Sequence, residues 1–160
     1  MARRALNRIF ESSLPEAGIC NGTALRKATR RVSQLYDAIL APCGLRSTQR
    51  SILIHIARAG TPAMGELAIA LVMDRSALAH NLKPLERDGF VRVTVDPQDR
   101  RNRLVGLTQA GRTKLVESTE LWQRAQQRFE TAFGEKQAAA LRAALDIIAS
   151  NDFAVEFQEG

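Results

Sequence analysis

The chain is poor in nearly everything that would mark an enzyme, a secreted scaffold or a membrane protein. Among 160 residues there are two cysteines, Cys20 and Cys43, and two histidines, His55 and His80. That is too few for a disulfide framework, and the spacing matches no recognisable zinc pattern, so neither a metal nor another cofactor is expected. No stretch approaches the roughly 18 consecutive apolar residues needed to cross a bilayer. The opening MARRALNRIFESSLPEAG lacks the uninterrupted apolar core of a secretion signal, which makes the cytoplasm the expected location, with no membrane partner. No glycine-rich phosphate loop, nucleophile with a spaced base, or carboxylate pair is visible, and no enzymatic activity is expected. His55, on an apolar helix, reads as a satisfied, half-buried histidine. Glu86 and Asp88 beside Arg87 read as a solvated helix end.

What remains is ordinary in bulk and uneven in charge. An apolar fraction of 45% is enough for a globular core, and there is neither an internal repeat nor a low-complexity segment. The net charge is +6, which favours a polyanionic partner. Residues 21–60 carry seven basic residues against Asp37, and residues 74–114 carry nine basic against five acidic. Residues 115–160 reverse the balance, with four basic and eight acidic.

Periodicity organises the chain into helices and one hairpin. After breaks at Pro15, Gly18 and Gly22, apolar residues from Ala24 to Leu40 recur at steps of three and four, the signature of an amphipathic helix, which must stop near Pro42 and Gly44. A second helix, with Ser47 or Thr48 as N-cap, runs to Gly60. Met64–Leu71 gives about two turns, and Val72-Met73-Asp74 forms a tight connection. Asp74 or Ser76 then caps a helix that continues to Asp88 and ends at Gly89. Pro84 lies inside this helix, and a kink or a distorted last turn is expected there. Two short helices joined by about three residues form a helix-turn-helix candidate.

Residues 91–108, VRVTVDPQDRRNRLVGLT, are two β-prone runs around a tip carrying Asp96, Asp99, Arg100, Arg101 and Arg103. A long helix follows from Gln109 to about Phe133, and Gly134 breaks it. An alanine-rich helix over 135–150 comes next, and the last ten residues are expected to fray.

A helix that enters the major groove must be slim at its N-terminal end and must carry hydrogen-bonding groups. Ser76, Ala77 and Ala79 are small, while Arg75, His80, Asn81 and Lys83 can reach bases or phosphates, with Leu78 and Leu82 anchoring the inner face. Asn81 is suited to paired hydrogen bonds with adenine, and Ala77 or Ala79 to a thymine methyl. In the hairpin, an Asp99–Arg101 pair would hold the tip's shape, and Arg100 and Arg103 would reach phosphate or the minor groove.

From Gly44 to Gly111, and most closely over GELAIALVMDRSALAHNLKPLERDGFVRVTVDPQDRRNRLVGLTQAGR, the chain resembles the MarR family of bacterial transcription regulators. The family's wing pattern is met by Asp99, Arg101, Val105, Leu107 and Thr108. The resemblance implies a mainly α fold with a small β-hairpin wing, a winged helix-turn-helix flanked by N- and C-terminal dimerisation helices. The expected division is a first dimerisation helix within 1–44, a DNA-binding domain over 45–108 and C-terminal dimerisation helices over 109–160. The apolar residues Trp122, Phe129, Phe133, Leu141, Leu145, Ile148 and Phe153 exceed what one winged helix could cover, in keeping with a homodimer. The expected activity is sequence-specific binding of double-stranded DNA at a palindromic operator by a ligand- or redox-responsive repressor. The alternative is a winged-helix protein-interaction module for an acidic partner. The resemblance also implies a small aromatic or carboxylate effector, with a candidate pocket near Arg30, Gln34, His55 and Arg58, and a redox candidate in Cys20. Cys20 sits at the start of the first helix, and Tyr36 is the sole tyrosine.

Overall fold

The computed structural model describes residues 18–160; Pro15 and the rest of the opening segment fall outside the described residues. Two compact units meet at Gln34–Leu35, inside the first helix, and each is taken by itself. That helix, α1, spans Asn21–Leu40 and is followed by a 3-10 turn at Ala41–Cys43, which Pro42 opens and Gly44 ends in the left-handed region. The helices α2 (Ser47–Ala59), α3 (Met64–Ala70) and α4 (Arg75–Arg87) precede strands β1 (Val91–Val95) and β2 (Arg103–Leu107). Three helices complete the chain: α5 (Gln109–Phe133), α6 (Glu135–Ile148) and α7 (Asn151–Glu159). The expected winged helix-turn-helix with its β-hairpin is what the chain forms.

One apolar cluster holds the winged helix together. Ile52, Leu53 and Ile56 of α2, Leu67 and Ala68 of α3, Leu78, Leu82 and Leu85 of α4, and Val91 and Val105 of the hairpin are all buried in it. The strands pair antiparallel with Val93 opposite Val105. Val105 also donates its amide to the Pro62 carbonyl at 2.9 Å, and Ala63 bridges Leu104, so the residues ahead of α3 add a short third edge to the hairpin.

Local chemistry sets the joints. Asp74 caps α4 as expected, its carboxylate accepting the Ala77 amide at 2.7 Å. In the turn ahead of it Val72 adopts φ 51°, a left-handed conformation that costs a side chain of L configuration about 1–2 kcal/mol. Pro84 leaves α4 continuous to Arg87: it lies in the final turn, and Asp88 still donates to the Pro84 carbonyl at 2.9 Å. The cap of α2 falls one residue earlier than the sequence indicates, at Arg46, whose amide donates to the Gln49 side chain. Ser47 instead donates its amide and its hydroxyl to Asp37 of α1, each at 2.6 Å. Of the last ten residues, expected to fray, all but Gly160 form α7, with the Ser150 hydroxyl accepting the Phe153 amide at 3.2 Å.

The hairpin is locked to α5 by Thr108. Its hydroxyl donates to the Gly89 carbonyl at 2.6 Å and accepts the Gly111 amide at 3.0 Å, while its own amide donates to Phe90. Gly111 is buried against the Phe90 carbonyl so closely that a Cβ there has no room. Gly106 of β2, by contrast, leaves ordinary contact distance of 3.5 Å to Thr61 for a methyl group. Gly111→Ala is therefore expected to lower unfolding free energy by about 1–3 kcal/mol in urea denaturation, and Gly106→Ala to change it by less than about 0.5 kcal/mol. Equal effects of the two would refute the packing assigned to this junction.

Candidate nucleic-acid interface

The buried ridge of α4 decides which of its side chains face outward. Leu78, Leu82 and Leu85 point into the core, and on a 3.6-residue helix the opposite ridge is Ser76, His80, Lys83 and Arg87, all exposed. Ala77, Ala79 and Asn81 lie on the flanks and are half-buried. The sequence places Asn81 among the base-reading residues. In the folded chain one N–H of its Nδ2 donates to the Ala77 carbonyl at 2.8 Å, which holds the amide against its own helix and leaves one N–H and Oδ1 without a partner among the described residues. The guanidinium of Arg75 lies over Gly65, where a Cβ would meet Nη2 at 3.0 Å; its side chain turns back onto α3 at the start of the recognition helix.

The wing tip is a set of short local bonds, and the division of labour among its arginines differs from the expected one. Asp99 accepts the backbone amide of Arg101 at 3.0 Å and the Asn102 side chain at 3.3 Å, so it shapes the turn through main chain and amide and forms no ion pair with the Arg101 guanidinium. Arg103, expected to be available to DNA, instead folds its Nη1 onto the carbonyls of Arg100 and Asn102 at 3.1 and 3.3 Å. Arg100 and Arg101 are exposed, and their guanidinium groups make no hydrogen bond or ion pair among the described residues. Together with Arg103, which is also exposed and has only Nη1 engaged, they make the tip cationic.

Away from the reading face, a cavity of about 320 Å³ lies among α1, α2 and α5, lined by Tyr36, Leu40, Ser47, Arg50, Ser51, Ile54, Arg58 and Trp122. Arg50 is 8% exposed. Its Nε donates to the Ser118 hydroxyl at 3.0 Å, and its guanidinium carbon lies 4.7 Å from the Trp122 ring centroid. No carboxylate among the described residues pairs with it, and burial pulls its pKa down from the usual arginine value. The Tyr36 hydroxyl donates to Gln126 at 3.0 Å, and burial, with Glu130 nearby, raises its pKa.

Of the four residues expected to line an effector pocket, Arg58 lines this cavity. His55 does not: it is half-buried, with Nδ1 2.8 Å from the Ser51 carbonyl of its own helix. Arg30 and Gln34 belong to the other unit. Arg50 and Trp122 give no sign in the sequence, because what makes them a pair is a contact between residues far apart in the chain.

Cys20 precedes the first residue of α1. Its Sγ accepts from the Thr23 hydroxyl at 3.3 Å and the Thr23 amide at 3.4 Å, and these bonds, the hydroxyl's foremost, lower its pKa. Cys43 is half-buried and donates to the Leu40 carbonyl at 3.0 Å. No cluster of metal-ligating side chains occurs among the described residues, and no helix among them is long and apolar enough to cross a membrane. Iodoacetamide at pH 7.5 is expected to modify Cys20 severalfold faster than Cys43. Thr23→Val should move the midpoint of the Cys20 rate profile to higher pH, because it removes the main bond that favours the thiolate. Identical rates for the two thiols, or an unmoved midpoint, would contradict this account.

Comparison with known proteins agrees with the geometry. The MarR family model matches residues 45–102. Over 72 residues the chain is 39% identical to the transcriptional activatory protein BadR of Rhodopseudomonas palustris, a match covering 43% of this chain. The chain spans only about two fifths (41%) of that relative's length. Among solved structures, the M. tuberculosis transcriptional regulator MOSR in complex with DNA superposes with a TM-score of 0.76 at 32% identity, covering 85% of this chain and 98% of that one. The transcriptional repressor CouR bound to a 23-mer DNA duplex gives 0.75 at 29%, covering 86% and 100%. With a winged helix whose recognition ridge and wing tip are built as described, and with these matches in sequence and structure, the chain belongs to the MarR family of DNA-binding regulators.

Proposed function

We propose that the protein is a homodimeric transcriptional regulator that binds a palindromic operator, represses by occupying it, and releases it in response to a small anionic aromatic ligand. The observation that carries the DNA-reading part is an exposed polar ridge, Ser76, His80, Lys83, on the helix that follows the turn, succeeded in the chain by a hairpin whose tip exposes Arg100 and Arg101. A helix enters the major groove while an arginine tip follows the backbone or the minor groove. Residues 45–108 would read DNA, with 1–44 and 109–160 serving dimerisation. A second copy is favoured by the apolar side chains that a single chain leaves exposed on α5, α6 and α7, among them Phe133, Leu141, Leu145, Ile148, Phe153 and Phe157. Two-fold symmetry places the two recognition helices about one helical turn, 10 bp, apart. Repression is favoured over activation because the repressor CouR aligns over its full length, whereas the activatory BadR aligns over a part. The ligand reading rests on the cavity with its buried, carboxylate-free Arg50 stacked on Trp122, a setting in which a planar carboxylate gains charge-assisted hydrogen bonds.

Selection of bound duplexes from a random pool, with light scattering of the protein alone and in complex, tests this reading. A palindromic consensus with half-sites about 10 bp apart, bound by a particle of twice the chain mass, is expected. Arg101→Ala should weaken binding to all sequences by a similar factor without changing the consensus. Enrichment of no sequence, with acidic proteins bound as tightly as DNA, would favour a protein-interaction module and overturn the reading.

A further inference from the structure

A second basic cleft lies beside the recognition helix. Its volume is about 400 Å³, and Arg46, Thr48 and Gln49 at the start of α2 face His80, Asn81, Pro84 and Arg87 of α4 across it. Two arginines and a histidine line it, and no carboxylate does. The Arg46 guanidinium has no hydrogen-bond or ion-pair partner among the described residues. Arg87 is held by Asp88 at 2.9 Å, but both are exposed, and an exposed pair of this kind contributes little and yields readily to another anion. His80 and Arg87 also stand on the outward ridge of α4, so the cleft opens onto the face that the reading above turns toward DNA.

We propose that this cleft is a phosphate clamp: when α4 lies in the major groove, a backbone phosphate at the groove's edge seats between Arg46 and Arg87, with the Thr48 hydroxyl as a further donor. The inference rests on the DNA-reading function and adds to it a contact on α2, outside the recognition helix and the wing. Arg46 and Arg87 fix the depth and register of α4, and His80 is left to face bases. The occupant is a phosphodiester of the duplex, not a free phosphate ion. A lone ion would gain two guanidinium contacts, whereas the duplex phosphate is delivered with the rest of the interface already formed.

The test measures affinity of the intact protein for a mixed-sequence duplex and for its selected consensus as a function of salt, using Arg46→Ala, Arg87→Ala and, as a charge-matched control on α6, Lys136→Ala. Each phosphate contact contributes about 0.9 to the slope of log K against log salt, so loss of one corresponds to about an eightfold weakening at 0.1 M salt. Arg46→Ala and Arg87→Ala are expected to lower the slope by about one per half-site on both duplexes with the consensus unchanged, and Lys136→Ala to leave it as in the parent. A duplex carrying a single methylphosphonate per half-site should weaken the parent at one position, and at that position the Arg46→Ala protein should lose nothing more. Inorganic phosphate at matched ionic strength should compete no better than sulfate; specific competition at millimolar phosphate would assign the cleft to a free anion instead. Slopes equal to the parent's in both arginine variants, with helicity intact and the consensus retained, would overturn the clamp. A parent without sequence preference whose slope still falls on Arg46→Ala would overturn the reading function and leave the clamp in place.

Discussion

Everything the reading face does depends on one packing interaction, the docking of Leu78, Leu82 and Leu85 against α2, α3 and the hairpin. These side chains are almost wholly removed from water, and fully burying each is worth about 1.5–3 kcal/mol relative to exposure. Rotating α4 by even one residue would pull that ridge out and push polar side chains in. The core thus acts as an orientation device: it fixes Ser76, His80, Lys83 and Arg87 outward and turns Asn81 to the flank, where its amide bonds its own helix. Which residues can touch DNA is decided by which residues cannot leave the core.

The same logic extends outward through polar joints. Thr108 ties the ends of β1 and β2 to the first turn of α5, so the wing cannot swing independently of the long helix that follows. Asp37 ties α1 to the first turn of α2 through Ser47. That turn then has a cavity on each side: Ser47 borders the one that holds Arg50, while Arg46 and Thr48 border the cleft against α4. Arg50 itself, buried with Ser118 and Trp122, joins α2 to α5.

Periodicity and punctuation carried most of the fold. The bounds of α5 follow from Thr108 and Gly134, the start of α4 from Asp74, and the hairpin from its alternating valines and polar tip. Two departures from the sequence pattern have local causes. Ser47 becomes the first residue of α2 rather than its cap, and its amide and hydroxyl both donate to Asp37, ten residues earlier. Residues 151–159 are helical because Ser150 supplies a cap that the composition of the tail conceals. The interface was legible as a location and less so as a set of roles. Arg100, Arg101 and Arg103 look alike in sequence, yet Arg103 is folded onto carbonyls of its own loop. Arg46 and Arg87 lie 41 positions apart and border one cleft only in the folded chain. Of the two readings of His55, the satisfied, half-buried histidine holds, its Nδ1 lying 2.8 Å from the Ser51 carbonyl, and the place beside the cavity belongs to the buried Arg50.

The buried ridge of α4 turns His80 outward and Asn81 to the flank, and on that orientation we propose that base reading falls to His80 rather than to Asn81. The most direct measurement is the sequence preference of the His80→Ala and Asn81→Ala proteins, each determined on the same random pool as the parent. The account predicts that His80→Ala relaxes preference at one position of each half-site, by about 1–3 kcal/mol of discrimination, while Asn81→Ala retains the parent's consensus. A consensus altered by Asn81→Ala and unaltered by His80→Ala would contradict it.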